Sequence, residues 1–111
     1  MTIRSTKYLR GAKGQGCINC GANNGTIVAA HYTGLRSSIF GKGTGCKPHD
    51  VCVADLCRKC HETFDKNMAG HGPTKYWKKI DASEQFMYCV VQTFIRRLRQ
   101  GIITLEDMEE G

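Results

Sequence analysis

Cys17-Ile18-Asn19-Cys20 and Cys57-Arg58-Lys59-Cys60 are two cysteine pairs at C-x2-C spacing. Two thiolates so spaced chelate one ion from a tight turn, and two such turns complete the tetrahedron that zinc takes in structural sites. The matched pairs predict one structural Zn²⁺ held by Cys17, Cys20, Cys57 and Cys60. Two readings compete with this: one pair acting as a redox dithiol, and Cys46 with Cys52 replacing part of the first pair. Directly after the second pair, His61 and Asp65 stand four residues apart. On a helix that spacing puts both side chains on one face, within reach of one ion. An imidazole and a carboxylate suit a borderline or hard divalent cation, and coordination positions left to water and phosphate are what metal-assisted hydrolysis needs. A solvated surface pair is the ordinary alternative for the same spacing.

These groups need elements to bring them together. Residues 21–56 separate the two cysteine pairs, well beyond the roughly 15 to 20 residues of a simple zinc ribbon, so something is inserted. Thr26 to Tyr32 is a β-branched and small apolar run that reads as a strand, with His31 near its far end. The glycine-rich stretches Gly11 to Gly25 and Gly34 to Gly45 read as loops. Asp50 to Leu56 alternates weakly and reads as a second strand or an extended approach to the second cysteine pair. A helix is expected over Cys60 to Ala69, closed by Gly70, with Pro73 preventing its continuation. A terminal amphipathic helix is expected at about 82–100. Phe86, Met87, Val90, Val91, Phe94, Ile95 and Leu98 form its apolar stripe, Asp81 with Glu84 a capping box, and Gly101 its stop. Tyr76 and Trp77 should help this helix cover the apolar side of the domain. Arg96, Arg97 and Arg99 fall in its last turns, where the helix dipole favours cations and where they also suit phosphate contact. Cys89 should be buried near the stripe as a small hydrophobe.

With 111 residues and 41% hydrophobic content the chain supports one modest core, hence a single domain over 1–111 with its centre at 17–70. No apolar leader or stretch long enough to span a membrane occurs, so an intracellular, cytoplasmic setting with reduced thiols is expected. Seven cysteines would also leave one unpaired in an all-disulfide scheme. The formal net charge is +6, and four of the ten acidic residues lie in the tail 106–111, so the preceding body is more basic still. Such a body suits a polyanion, and DNA is the expected partner.

Several motifs in order, from Cys17 to Asp65, resemble the HNH, or ββα-metal, endonucleases, and most closely the phage and prophage nucleases of the YbcO type. The matching residues are the first cysteine pair, Ala30-His31-Tyr32, a glycine-rich loop, Lys47-Pro48-His49-Asp50, and Cys57 to His61. The resemblance implies an α+β fold: a small zinc-stapled ββα-metal domain to which the C-terminal helix is an addition. It implies a metal-dependent endonuclease hydrolysing DNA phosphodiester bonds, phage or prophage encoded and working in the bacterial cytoplasm. By position, His31 is then the general base, and His61 with Asp65 holds the catalytic Mg²⁺, Mn²⁺ or Zn²⁺. Two departures stand out. Ala30 occupies a position where many members place a metal ligand, and the middle asparagine is missing, leaving Asp50 as the candidate for that place or for the absent ligand. An imidazole ordinarily titrates near neutrality and can take a proton from an attacking water. Lys42 and Lys47 lie where a phosphate could be held, while His49 and His71 read as loop residues outside the site. The rival readings are a zinc-containing DNA-binding or recombination accessory protein without catalysis, and a thiol redox or metal-handling protein. Oligomeric state is left open, a homodimer among the options.

Overall fold

Val28–His31 (β1) and Val53–Leu56 (β2) pair antiparallel, with Val28 opposite Leu56 and His31 opposite Val53. A two-stranded ribbon is marginal in water unless one face is covered. Here β2 is buried along its whole length, whereas β1 alternates towards the surface, with Val28 exposed and Ala30 buried. The structure is a computed structural model that describes residues 3–40, 47–68 and 73–104, with side chains left out at 73–76. In chain order the described elements are α1 (Thr6–Arg10), β1, β2, α2 (Arg58–Met68) and α3 (Pro73–Arg99). The result is a small α+β fold in which α3 packs on both β2 and α2. No described helix is long and apolar enough to cross a membrane.

The expected strand over 26–32 and helix over 60–69 are present with shifted ends. The extended run from Asp50 narrows to Val53–Leu56, because residues 49–52 turn, with Cys52 N–H donating to His49 O. The short helix α1 was not foreseen. Ser5 caps it, its hydroxyl accepting from Tyr8 N–H at 3.2 Å, and a cap of this kind can hold one turn when the turn also buries an aromatic such as Tyr8.

The terminal helix begins at Pro73, well before the expected residue 82. Proline, read as a barrier, serves instead as the first residue of α3, where its missing N–H costs nothing. Asp81, expected as the cap, is inside the helix and exposed. Gly70, Gly41 to Gly45 and the tail 106–111 lie outside the described residues. Gly101 does end α3: at φ +70° it lets its own N–H reach Leu98 O and the next N–H reach Arg97 O, closing the helix with a Schellman turn.

The deeply buried stripe of α3 differs from the apolar one. Ala82, Ser83, Phe86, Cys89, Val90, Thr93 and Arg97 are buried, while Val91 of the expected stripe and the lead-in Trp77 are exposed. The reason is polar: Ser83 Oγ bonds Tyr32 Oη at 2.6 Å, Thr93 Oγ1 accepts from Asp55 N–H at 3.1 Å, and Arg97 reaches Asp55. These bonds turn α3 so that its satisfied polar groups face the ribbon. Around them, Tyr32, Phe86 and Phe64 pack in edge and stacked contacts, with Leu56, Ala54 and Ala30 beneath.

Candidate metal centre and histidine site

The four cysteine sulfurs of the two knuckles all lie within 4.8 Å of one another. A tetrahedral zinc with Zn–S of about 2.3 Å sets an S···S edge of about 3.8 Å, and Cys20 Sγ and Cys57 Sγ are 3.7 Å apart. The donor set and its size therefore fit a structural metal such as zinc.

Local backbone builds each half of the cluster. In the first knuckle Gly21 takes φ +81°, a conformation side chains disfavour, and returns its N–H to Cys17 O at 2.8 Å. Ile18 N–H donates to Asp55 O, which docks the knuckle on β2. In the second, Cys57 directly precedes α2, and its sulfur accepts from Cys60 N–H at 3.5 Å, in the place where an N-cap oxygen would sit. Arg58 N–H is taken by Thr26 Oγ1. The cysteine-bearing turns thus also dock on β2 and start α2.

Four sulfurs this close share protons unevenly when no cation balances them. For Cys60, burial first and then the neighbouring thiols Cys20, Cys57 and Cys17 push the pKa up to about 12, against the Asn19 hydrogen bond. For Cys17, burial raises the pKa, but hydrogen bonds from Cys57, Cys20 and Asn19 outweigh it and bring it to about 7. A divalent ion stabilises all four thiolates together.

One contributor to this centre was not foreseen. Asn19 Nδ2 donates to Cys60 Sγ at 3.3 Å, and Gln85 of α3 fixes the amide by donating to Asn19 Oδ1 at 2.9 Å. Nothing in a C-x2-C motif marks an intervening residue for such a role. Cys89 lies beside this network and is buried, as expected, but it is not part of the cluster; burial, and then nearby Cys17, raise its pKa to about 11. Cys52 is also buried and separate from the cluster, and Cys46 lies outside the described residues.

The residues expected to act on substrate form two pairs. In the first, His31 Nε2 and Asp50 Oδ1 are 2.9 Å apart at the end of β1. Asp50 is buried and held from the N-terminal segment: Ser5 N–H donates to Oδ2 at 2.7 Å, and Arg4 Nη1 to Oδ1 at 3.0 Å. Burial alone would raise the Asp50 pKa, yet the bonds from His31, Ser5 and Arg4 outweigh it and leave the carboxyl below its ordinary value. Ionised, Asp50 can only accept, so the hydrogen of the 2.9 Å contact belongs to His31 Nε2 and the neutral ring keeps an unprotonated Nδ1. A histidine so oriented has one nitrogen ready to take a proton.

The second pair is His61 with Asp65 on α2, with Nε2 and Oδ2 3.6 Å apart and both side chains substantially exposed. Asp50 is placed with His31 and not with these two, and among the described residues the four cysteines are the group of three or more metal-capable side chains. In the ribbon register His31 faces Val53, whereas α2 follows from the other end of β2 after Leu56.

The remaining candidates divide. His49 is tied to the same N-terminal segment, Ile3 N–H donating to its Nδ1 at 2.8 Å. Lys47 is exposed next to it, and Lys42 and His71 lie outside the described residues. Of the arginines considered for phosphate, Arg97 is fully buried on Asp55 and Tyr8 O, while Arg96 places its Nη1 on Asp55 and Gly16 O.

No curated protein and no solved structure matches the chain. Residues 1–92, which include every residue of both pairs and of the cysteine cluster, match the family described as protein of unknown function DUF968. The chain belongs to the DUF968 family.

Proposed function

We propose that this protein is an HNH-type, metal-dependent endonuclease that hydrolyses phosphodiester bonds of DNA. The observation that carries the reading is the His31–Asp50 pair. A buried carboxylate accepts from His31 Nε2–H, which leaves Nδ1 unprotonated at the strand end, where the resemblance to HNH enzymes calls for a base. Asp50 is then a positioning residue and not a metal ligand. His31 removes a proton from water as that water attacks phosphorus. His61 and Asp65 would hold a divalent Mg²⁺, Mn²⁺ or Zn²⁺, which supplies charge stabilisation at the phosphate and the departing oxygen. The cysteine cluster would staple the two knuckles to each other beside β2 and take no part in the chemistry.

The second reading, a zinc-containing DNA-binding accessory protein without hydrolysis, is favoured by one observation. Ala30, where many HNH enzymes carry a metal ligand, is an apolar core residue.

Nicking of supercoiled plasmid by the purified protein with Mg²⁺, Mn²⁺ or Zn²⁺ separates the two. The expected result is nicking by the parent and a loss of at least about 100-fold in His31→Ala and His61→Ala, with zinc content and folding retained. Absence of cleavage across duplex, junction and single-stranded DNA with every metal, together with unchanged DNA binding by both variants, overturns the nuclease reading in favour of the binding one.

A further inference from the structure

The N-terminal segment does more than close the back of the His31 site. Arg4 uses three of its five N–H donors internally: Nη1 bonds Pro48 O at 2.6 Å and Asp50 Oδ1 at 3.0 Å, and Nη2 bonds Lys47 O at 2.9 Å. Its Nε–H and one Nη2 hydrogen make no hydrogen bond to the described residues, and the side chain is 46% exposed although its end is held at three points. Because Asp50 Oδ1 is bonded by both Arg4 Nη1 and His31 Nε2, the guanidinium and the imidazole are neighbours across a single atom.

His49 adds a donor of fixed direction. Its Nδ1 accepts from Ile3 N–H, so the neutral ring carries its hydrogen on Nε2, facing away from the backbone it is bonded to. Lys47, whose carbonyl anchors Arg4, has an exposed side chain with no bond to the described residues. Asp50 offsets one positive charge here, and its own oxygens are already occupied by His31, Arg4 and Ser5. The groups that remain without a bond to the described residues are donors, two of them on cationic side chains.

We propose that Arg4, Lys47 and His49 form a phosphate-holding subsite beside His31, and that its ligand is a backbone phosphate of the nucleic-acid strand on which His31 acts. An arginine restrained with part of its planar fork still free suits the oxygens of a phosphate better than a mobile ammonium does. The inference rests on the nucleic-acid reading above and deepens it: the substrate is gripped by residues 4 and 47–49, next to the base, and the N-terminal segment becomes part of the site.

The test is the salt dependence of binding to a labelled DNA duplex, measured by anisotropy without added divalent metal, for the parent, Arg4→Gln, Lys47→Gln and His49→Ala. Each phosphate neutralised contributes about 0.9 to the slope of log K against log salt on duplex DNA. Arg4→Gln and Lys47→Gln are each expected to reduce the slope by about that amount, while His49→Ala weakens binding at every salt concentration and leaves the slope unchanged. Slopes equal to the parent's in both charge variants overturn the subsite and leave the nucleic-acid reading standing. A parent that does not bind DNA at low salt overturns that reading and the subsite with it. Should Arg4→Gln release its zinc or unfold, Lys47→Gln decides the matter, since its side chain supports nothing else in the described fold.

Discussion

Nη1 and Nη2 of Arg97 both donate to the Asp55 carboxylate, at 2.6 and 2.7 Å, where the two side chains are fully shielded from solvent. Asp55 sits in β2 and Arg97 in the last turn of α3. Arg97 Nε also donates to Tyr8 O at 2.9 Å, and its guanidinium lies over the Tyr8 ring at 5.1 Å. One arginine therefore joins α1, the ribbon and α3. Removing Asp55 leaves the fully buried Arg97 without a counter-charge, whereas removing Arg97 leaves Asp55 with Arg96 Nη1 at 3.2 Å, so Asp55→Ala should destabilise the fold by about 3–5 kcal/mol and Arg97→Ala by less, read by urea denaturation. A loss below 1 kcal/mol would show that the pair does not hold these elements together.

Gly11 follows from the same pair. A methyl group there would meet the Arg97 side chain at its Nε and Cδ, well inside contact distance. Gly11→Ala should lower the melting temperature by displacing the guanidinium, even though alanine suits the right-handed backbone of this position, φ −60°, better than glycine does. An unchanged or raised melting temperature would show that Arg97 has room to move aside.

The cysteine cluster predicts one zinc per chain by elemental analysis. Removal by a strong chelator, or Cys57→Ser, should abolish cooperative unfolding, because the knuckle turns and the start of α2 are built around the ligands. Full ellipticity and unchanged stability after removal would count against a structural role.

Asp50 ties stability to pH in a definite direction. Its pKa in the fold lies below the ordinary carboxylate value, through the bonds from His31, Ser5 and Arg4 that outweigh burial. The native state thus favours the ionised form, a stabilisation fully present above the unfolded-state pKa of about 3.9 and lost as pH falls through the folded value. Asp50→Asn should remove part of this acid-side dependence and, at neutral pH, cost about 1–3 kcal/mol for the partners it leaves unpaired. On the proposed nuclease reading it should also lower cleavage by more than it weakens DNA binding. Identical acid unfolding of variant and parent would show that Asp50 is not the linked group.

Tyr8 offers a prediction of opposite sign. Its hydroxyl is buried with no hydrogen-bond partner among the described residues, and burial raises its pKa to about 12, Arg97 acting in the other direction. Tyr8→Phe keeps the ring over Arg97 and discards the unsatisfied hydroxyl, so stability should be unchanged or raised by about 1 kcal/mol. A clear loss of stability would reveal a partner for that oxygen.

By itself the sequence determined the features whose physics is local. Cysteines two residues apart chelate from one turn wherever it is placed, and His61 with Asp65 shares a helix face by spacing alone. A run of branched and small apolar residues up to His31 made a strand with that histidine at its end, and Gly101 stopped a helix. What the tertiary structure decided are the pairings between distant segments. Arg4 meets Asp50 across 46 residues, Asp55 meets Arg97 across 42, and Tyr8 meets Arg97 across 89. Asp50, read from the sequence as standing in the place of the missing asparagine or of the absent metal ligand, bonds His31 and is itself held by Ser5 and Arg4 of the N-terminal segment. The buried stripe of α3 kept Phe86 and Val90 but left Val91 exposed and took in Ser83, Thr93 and Arg97, which found partners. A polar side chain is buried only when another segment satisfies it, and that segment's position is a property of the folded chain.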